Sequence, residues 1–351
     1  DALTTDFTTP TTEPQFNRAK AQARGGAAGI LGAGTIMLSE ATVAGGVKAE
    51  MNGDITSSDS VSVTANGRNL ADGDTLAASI GSFAAGVTGT VTEITSAADI
   101  VAKVGSAANI TTAGALTVSA TGDNDAKTRS DAGSGGLLSI AGGILSAKVG
   151  GAVEAEMNGD VTDATSVMVT ADGDNNAEAR SLAISGGLVA ADAASATAEV
   201  TSDADVNARV GATALLTTPD AAVSVMATGD NNANATADGG SGSLTVAIAA
   251  MVPTAKVGGA VLSEFSGQMA ADNAAASLNV AAMGENTARA EANVAAIGLA
   301  GGGGGANSVA EVTRTADITA RLGAAAMVRT TGAVTVDATT YGDGNSAIGL
   351  A

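Results

Sequence analysis

Val61 and Val63 alternate with Ser60, Ser62 and Thr64, and the same alternation returns five more times along the chain. Leu116 and Val118, Val167 and Val169, Val223 and Val225, Leu278 and Val280, and Val334 and Val336 hold the same two apolar places. A period of two is that of a strand with one buried face. Each strand runs into a Gly/Asp/Asn cluster, as in ANGRN (65–69), ATGDN (120–124) and ADGDN (171–175). Such residues tolerate positive φ and bond their own backbone, so the cluster predicts a turn that ends the strand.

A second strand is predicted after the cluster. It reads RAKAQAR (18–24), AKTRS (126–130), AEARS (177–181), ANATAD (233–238) and ARAEAN (288–293). One face is nearly all Ala, so a neighbour must pack very close to it. A third segment is apolar and Gly-rich, as in GILGAGTIML (29–38) and GGLLSIAGGILS (135–146), and Asp192 is its one charge. It predicts a strand buried on both sides, or one lying at a contact surface.

Self-similarity at a fixed period of this length marks a stacked repeat architecture. The expected fold is all-β, a β-solenoid or β-helix of six units over residues 17–351. Fifty-three residues at ~3.3 Å each would trace ~175 Å, a large circumference for one turn. One wide flattened turn per unit, two ordinary turns, and a stack of hairpin layers all fit that length.

A fourth segment is charged, and the charge alternates in sign. One outward position holds Glu50, Lys103, Glu156, Arg209, Glu264 and Arg321 in successive units. The spacing between them is 53 residues at first and widens to 55 and then 57. A second position, 8 or 10 residues upstream, holds Thr42, Glu93, Lys148, Glu199, Lys256 and Glu311, in antiphase to the first. The full repeat is therefore an odd–even pair of 106 residues, from Glu50 to Glu156. Identical units stacked in register would oppose like charges, which is destabilising. Alternation converts that repulsion to attraction and penalises a slip of one unit.

Composition narrows the function classes. Hydrophobic residues make up 45% of the 351, but aromatics only 1%, which suits a thin core filled by small side chains. The net charge of −20 makes nucleic acid and anionic membrane surfaces poor partners. No apolar run reaches the ~18 residues that would suggest a membrane-spanning helix. With no Cys and no His, thiolate chemistry and the commonest general base are absent. No phosphate-binding or dinucleotide-binding motif is present, so no enzyme activity and no organic cofactor are expected. Calcium is the one candidate ligand. Asp172, Asp174 and Asn176 give a D-x-D-x-N spacing of hard oxygen donors, although turn chemistry alone explains these residues. The chain opens on Asp1, and an exported protein that has lost a signal peptide is expected.

Residues 1–16, DALTTDFTTPTTEPQF, stand outside the repeat. They are expected to form an extended arm that docks on a neighbouring subunit, with Phe7 and Phe16 as its anchors.

The strand–GDN–Ala rhythm with Gly/Ala-rich apolar segments, covering residues 17–351, resembles the repeats of large bacterial surface and secreted proteins. Filamentous-haemagglutinin-like adhesins and fusobacterial-leukotoxin-like exoproteins are the families it resembles. The resemblance implies an extracellular β-solenoid used for reach, adhesion or assembly. Together these features lead to the expectation of an extracellular structural protein whose partners are copies of itself, joined head to tail into a filament. The alternative is the stalk of a larger adhesin.

Overall fold

The computed structural model describes residues 17–112, 114–270 and 274–351. The arm expected at residues 1–16, with Phe7 and Phe16, lies outside the described residues. The described chain is all-β and winds as a parallel solenoid.

Coil one holds β1 (Asn17–Val43) and β2 (Val47–Met51), and coil two β3 (Val61–Ile94), β4 (Ile100–Val104) and β5 (Asn109–Thr111). Coil three repeats this as β6 (Ala115–Val149), β7 (Val153–Met157) and β8 (Asp160–Thr162). Coil four is β9 (Ser166–Val200), β10 (Val206–Val210) and β11 (Leu215–Thr217), and coil five is β12 (Ala222–Val257), β13 (Val261–Phe265) and β14 (Gln268–Met269). In coil six the long strand is broken into β15 (Ser277–Gly298), β16 (Gly301–Ala306) and β17 (Val309–Val312), followed by β18 (Ile318–Leu322). A partial coil seven is β19 (Val334–Leu350). Equivalent strands pair parallel, coil on coil, in three sheets.

Each unit is thus one wide, flattened turn. The long strand doubles back on itself near its middle. Within β3, the hydroxyls of Thr75 and Thr90 lie 2.7 Å apart, and Ser79 donates to the carbonyl of Ala85 at 2.7 Å. The reversal falls near residues 81–83, and the pairing register skips at the equivalent points, between Gly29 and Gly32 and between Ser243 and Val246. Backbones approach closely here: a Cβ on Gly81 would lie 2.6 Å from the carbonyl oxygen of Gly29 on the coil before. Residues 61–80 therefore form a first wall roughly 66 Å long at ~3.3 Å per residue. Residues 83–94 and then β4 return along a second wall, and β5 helps to close the far end. Coils stack at ~4.8 Å, so the solenoid is a broad thin slab.

The expected turn after the first strand does not form in coils two to six. The chain runs on as strand through Gly67, Arg68 and Asn69 and through the equivalent residues. The glycine serves space rather than φ. A Cβ on Gly67 would meet Ile100 Cγ1 at 2.7 Å, and one on Gly173 would meet Val206 Cγ2 at 2.5 Å, across the thin interior. Among the described residues the cluster bends only in coil seven, where Gly342 and Gly344 take φ of 56° and 64° and the register skips before Asn345.

Two cores result. Near the closed end, Val61, Val63, Ile100, Val104 and Ile110 and their equivalents fill a wider space. Between the walls toward the tip, the filling is mostly Ala, as in Ala71, Ala126, Ala177 and Ala233, with Ile94, Leu145 and Met251 in the wider places. Small side chains suit two sheets this close.

Candidate functional site

Where the two cores meet, asparagines form a continuous ladder. Asn17, Asn69, Asn124, Asn175, Asn231, Asn286 and Asn345 stand in register, one per coil. Each Nδ2 donates to the Oδ1 of the next, at 2.7–3.0 Å. The same nitrogen donates to a carbonyl in the turn before the short strand: Gly45, Ala98, Gly151, Ala204, Gly259 and Ala316. Because a turn carbonyl can only accept a hydrogen bond, the network fixes which amide atom is nitrogen. The ladder ties the two walls together and gives the stack a direction. The Gly/Asp/Asn cluster by itself reads these asparagines as turn residues. The available signal was parity: counting by twos from Val61, Asn69 falls on the buried side.

The two charge ladders are in register throughout. Glu50, Lys103, Glu156, Arg209, Glu264 and Arg321 pair in that order along the sheet of short strands. Lys103 Nζ lies 2.8 Å from Glu156 Oε2, and Arg321 grips one oxygen of Glu264 through Nη2 at 2.7 Å and Nε at 3.0 Å. The hydrogen bond that Lys103 donates to Glu156, and the charge of that carboxylate, raise the Lys103 pKa. At Glu264, burial works to raise the carboxyl, but the Ser266 hydroxyl and the Arg321 guanidinium outweigh it and hold it below its ordinary value. Thr42, Glu93, Lys148, Glu199, Lys256 and Glu311 form the second ladder, on the long strands. Lys148–Glu199 and Lys256–Glu311 approach to 3.8 and 3.6 Å. These pairs are partly exposed, so each contributes only ~0–1 kcal/mol.

Asp172, Asp174 and Asn176 take successive outward places on β9. They lie along an extended strand rather than in a loop that could wrap an ion. Asn176 is already used, accepting from Asn232 at 3.3 Å and donating to Asp125 at 2.9 Å. Asp174 stacks between Asp123 and Asp230, with Glu285 next in the column. Burial first, and then these like charges, push Asp174 up to about 6. Arg68 pairs with Asp123 at 2.7 Å and offsets one end of the column. Among the described residues, no group of three or more acidic side chains is gathered as a metal would need.

The Gly-rich apolar segment forms the tip and the second wall. Its inward side chains are buried, but its outward ones are not: Ile36, Phe83, Ile140, Ile144 and Ile248 are exposed. The segment is therefore not buried on both sides. Asp192 points inward, 4% exposed, with neither carboxyl oxygen in a full hydrogen bond among the described residues. Burial pushes it up to about 6, with the hydroxyl and backbone N–H of Ser185 drawing it partly back.

No protein-family model, curated protein or solved structure matches the chain. Among the described residues, no helix is long and apolar enough to cross a membrane.

Proposed function

We propose that the chain is an exported structural protein, a β-solenoid subunit that assembles head to tail into an extracellular filament of the kind its repeats resemble. The observation that carries the reading is that the charge and amide ladders run along one axis and have polarity. At the C-terminal end the first ladder stops on Arg321, and at the other end it starts on Glu50. A second copy stacked in the same direction brings its Glu50 over Arg321 and continues the alternation. A reversed copy meets like charge. Backbone edges favour the same event, because among the described residues β1 pairs only with β3, and an unpaired edge is a template for another strand. β19 of coil seven pairs with β15 along the first wall. The neighbour's residues 17–23 occupy the same columns as residues 345–351, so one of the two stretches yields on docking.

A second reading draws on the same unpaired edge. The chain would be a length of stalk in a larger adhesin, with further coils covalently attached. Negative-stain microscopy of the purified chain separates the two. Long uniform fibres support the subunit, and single short rods at every concentration support the stalk.

A further inference from the structure

The second wall carries an apolar surface that the stacking of coils leaves uncovered. Between the tip and the Glu93–Lys148 column, five outward positions on each of six coils hold one charge, Glu40. At ~4.8 Å between coils and ~6.7 Å between outward positions, the face measures roughly 30 Å by 30 Å, or about 800 Å². That exceeds the largest apolar patch of an ordinary monomer, ~300–600 Å². It matches what one partner buries in a standard interface, about 800 Å². In a chain of net charge −20, it is the broad face where another copy can approach without repulsion.

We propose that this face packs against the same face of a second copy, with the two solenoids antiparallel about a two-fold axis along the strands. The bordering charge column selects this arrangement. Such an axis keeps each position along the strand and reverses the order of coils, so that coil two faces coil five and coil three faces coil four. Glu93 then faces Lys256 of the second copy, and Lys148 faces its Glu199. A shift by one coil sets Glu against Glu. An axis along the solenoid sets the charged column against the apolar tip. Size matches as well: Phe83 faces Val246, Leu138 faces Val189, and Gly32 faces Gly301, in columns fixed by the register. A surface with alternating charge at the coil spacing is complementary to another solenoid of the same period, and the second copy supplies it.

The pairing is lateral and does not depend on head-to-tail stacking, so sedimentation and mass per length test it separately. Under conditions where no fibres form, wild type is expected to sediment as a dimer. Phe83→Asp with Ile140→Asp, both on exposed sites, is expected to weaken the dimer at least ~100-fold and to leave the circular dichroism and melting of the monomer intact. Lys148→Glu is expected to weaken it too, and Lys148→Glu with Glu199→Lys to restore it, although each chain's own ladder is then disturbed. If fibres form, wild-type fibres are expected to have twice the mass per length of the Phe83→Asp/Ile140→Asp variant at similar length. A wild-type monomer whose face binds a hydrophobic dye would overturn the proposal. So would a face that is shielded in the monomer and opened by deleting residues 1–16, or a dimer indifferent to these substitutions.

Discussion

Asn124 Nδ2 donates to Asn175 Oδ1 at 2.8 Å, one coil on, and to the carbonyl of Gly151 at 2.9 Å, across the slab. One buried amide thus links two coils and two walls. Asn175 repeats the arrangement, bonding Asn231 at 2.8 Å and Ala204 at 3.0 Å. Asn175→Ala removes an acceptor and two donated bonds inside the protein, and it strands the partners without water. Each buried group left unsatisfied costs about 1–3 kcal/mol, so a loss of at least ~2 kcal/mol is expected in chemical denaturation. Asn175→Asp keeps the shape but cannot donate when ionised. Its stability is expected to fall as pH rises through the carboxyl's titration. Equal stability at pH 4 and pH 8 for that variant would argue against a donor role.

The charge ladders set register more than depth of stability. Glu156→Lys places a cation between Lys103 and Arg209, its in-register neighbours. Two attractions become two repulsions, so a loss of about 1–2 kcal/mol is expected at low salt. Because the Debye length shortens to ~3 Å at 1 M salt, most of the loss is expected to return there. Thermal melts across a salt series measure it, and a melting temperature equal to wild type at low salt would count against in-register stacking.

Asp192 lies in a column whose equivalents on coils three and five are Ala141 and Ala249. The repeat fits a methyl group there, and the carboxylate is a cost. Its folded pKa is about 6 against an ordinary 3.8, so the folded chain binds more protons than the unfolded chain between those values. Stability therefore falls as pH rises from about 4 to 6, and Asp174, pushed up to about 6 as well, adds to the same slope. Asp192→Ala is expected to stabilise the chain at pH 7 by about 1–3 kcal/mol and to flatten that slope. A destabilised variant would mean that Asp192 has a binding partner.

Gly173 is narrow-site chemistry of a different kind. A Cβ there meets Val206 Cγ2 at 2.5 Å and Val153 Cγ2 at 3.2 Å. Gly173→Ala is expected to cost about 1–3 kcal/mol by overpacking. Val206→Ala in the same chain is expected to recover part of that, which a double-mutant cycle reads as coupling. Additive losses would place the strain in the backbone instead.

Much of this architecture is legible in the residues. The alternation at Val61 and Val63, the Ala face after it and the sign changes from Glu50 to Arg321 all report side chains whose environment repeats identically. The Gly/Asp/Asn cluster misleads because glycine has two physical uses. In Gly67 it makes room for Ile100, and nothing local distinguishes that from a turn. Asn69 carries the missing clue, since it sits in phase with the buried valines. The exposed apolar wall is harder still. Both of its faces are apolar, and only the fold-back near residues 81–83 decides which one meets Ala and which meets solvent.

Cryo-electron microscopy of assembled protein reads head-to-tail growth and its single polarity at once. Such growth predicts fibres with a ~4.8 Å coil spacing and a subunit repeat of about 29 Å along the axis, six coils per chain, with Glu50 of each copy over Arg321 of the last. Particles that remain one chain long at every concentration, or fibres whose subunits alternate in direction along the axis, would contradict it.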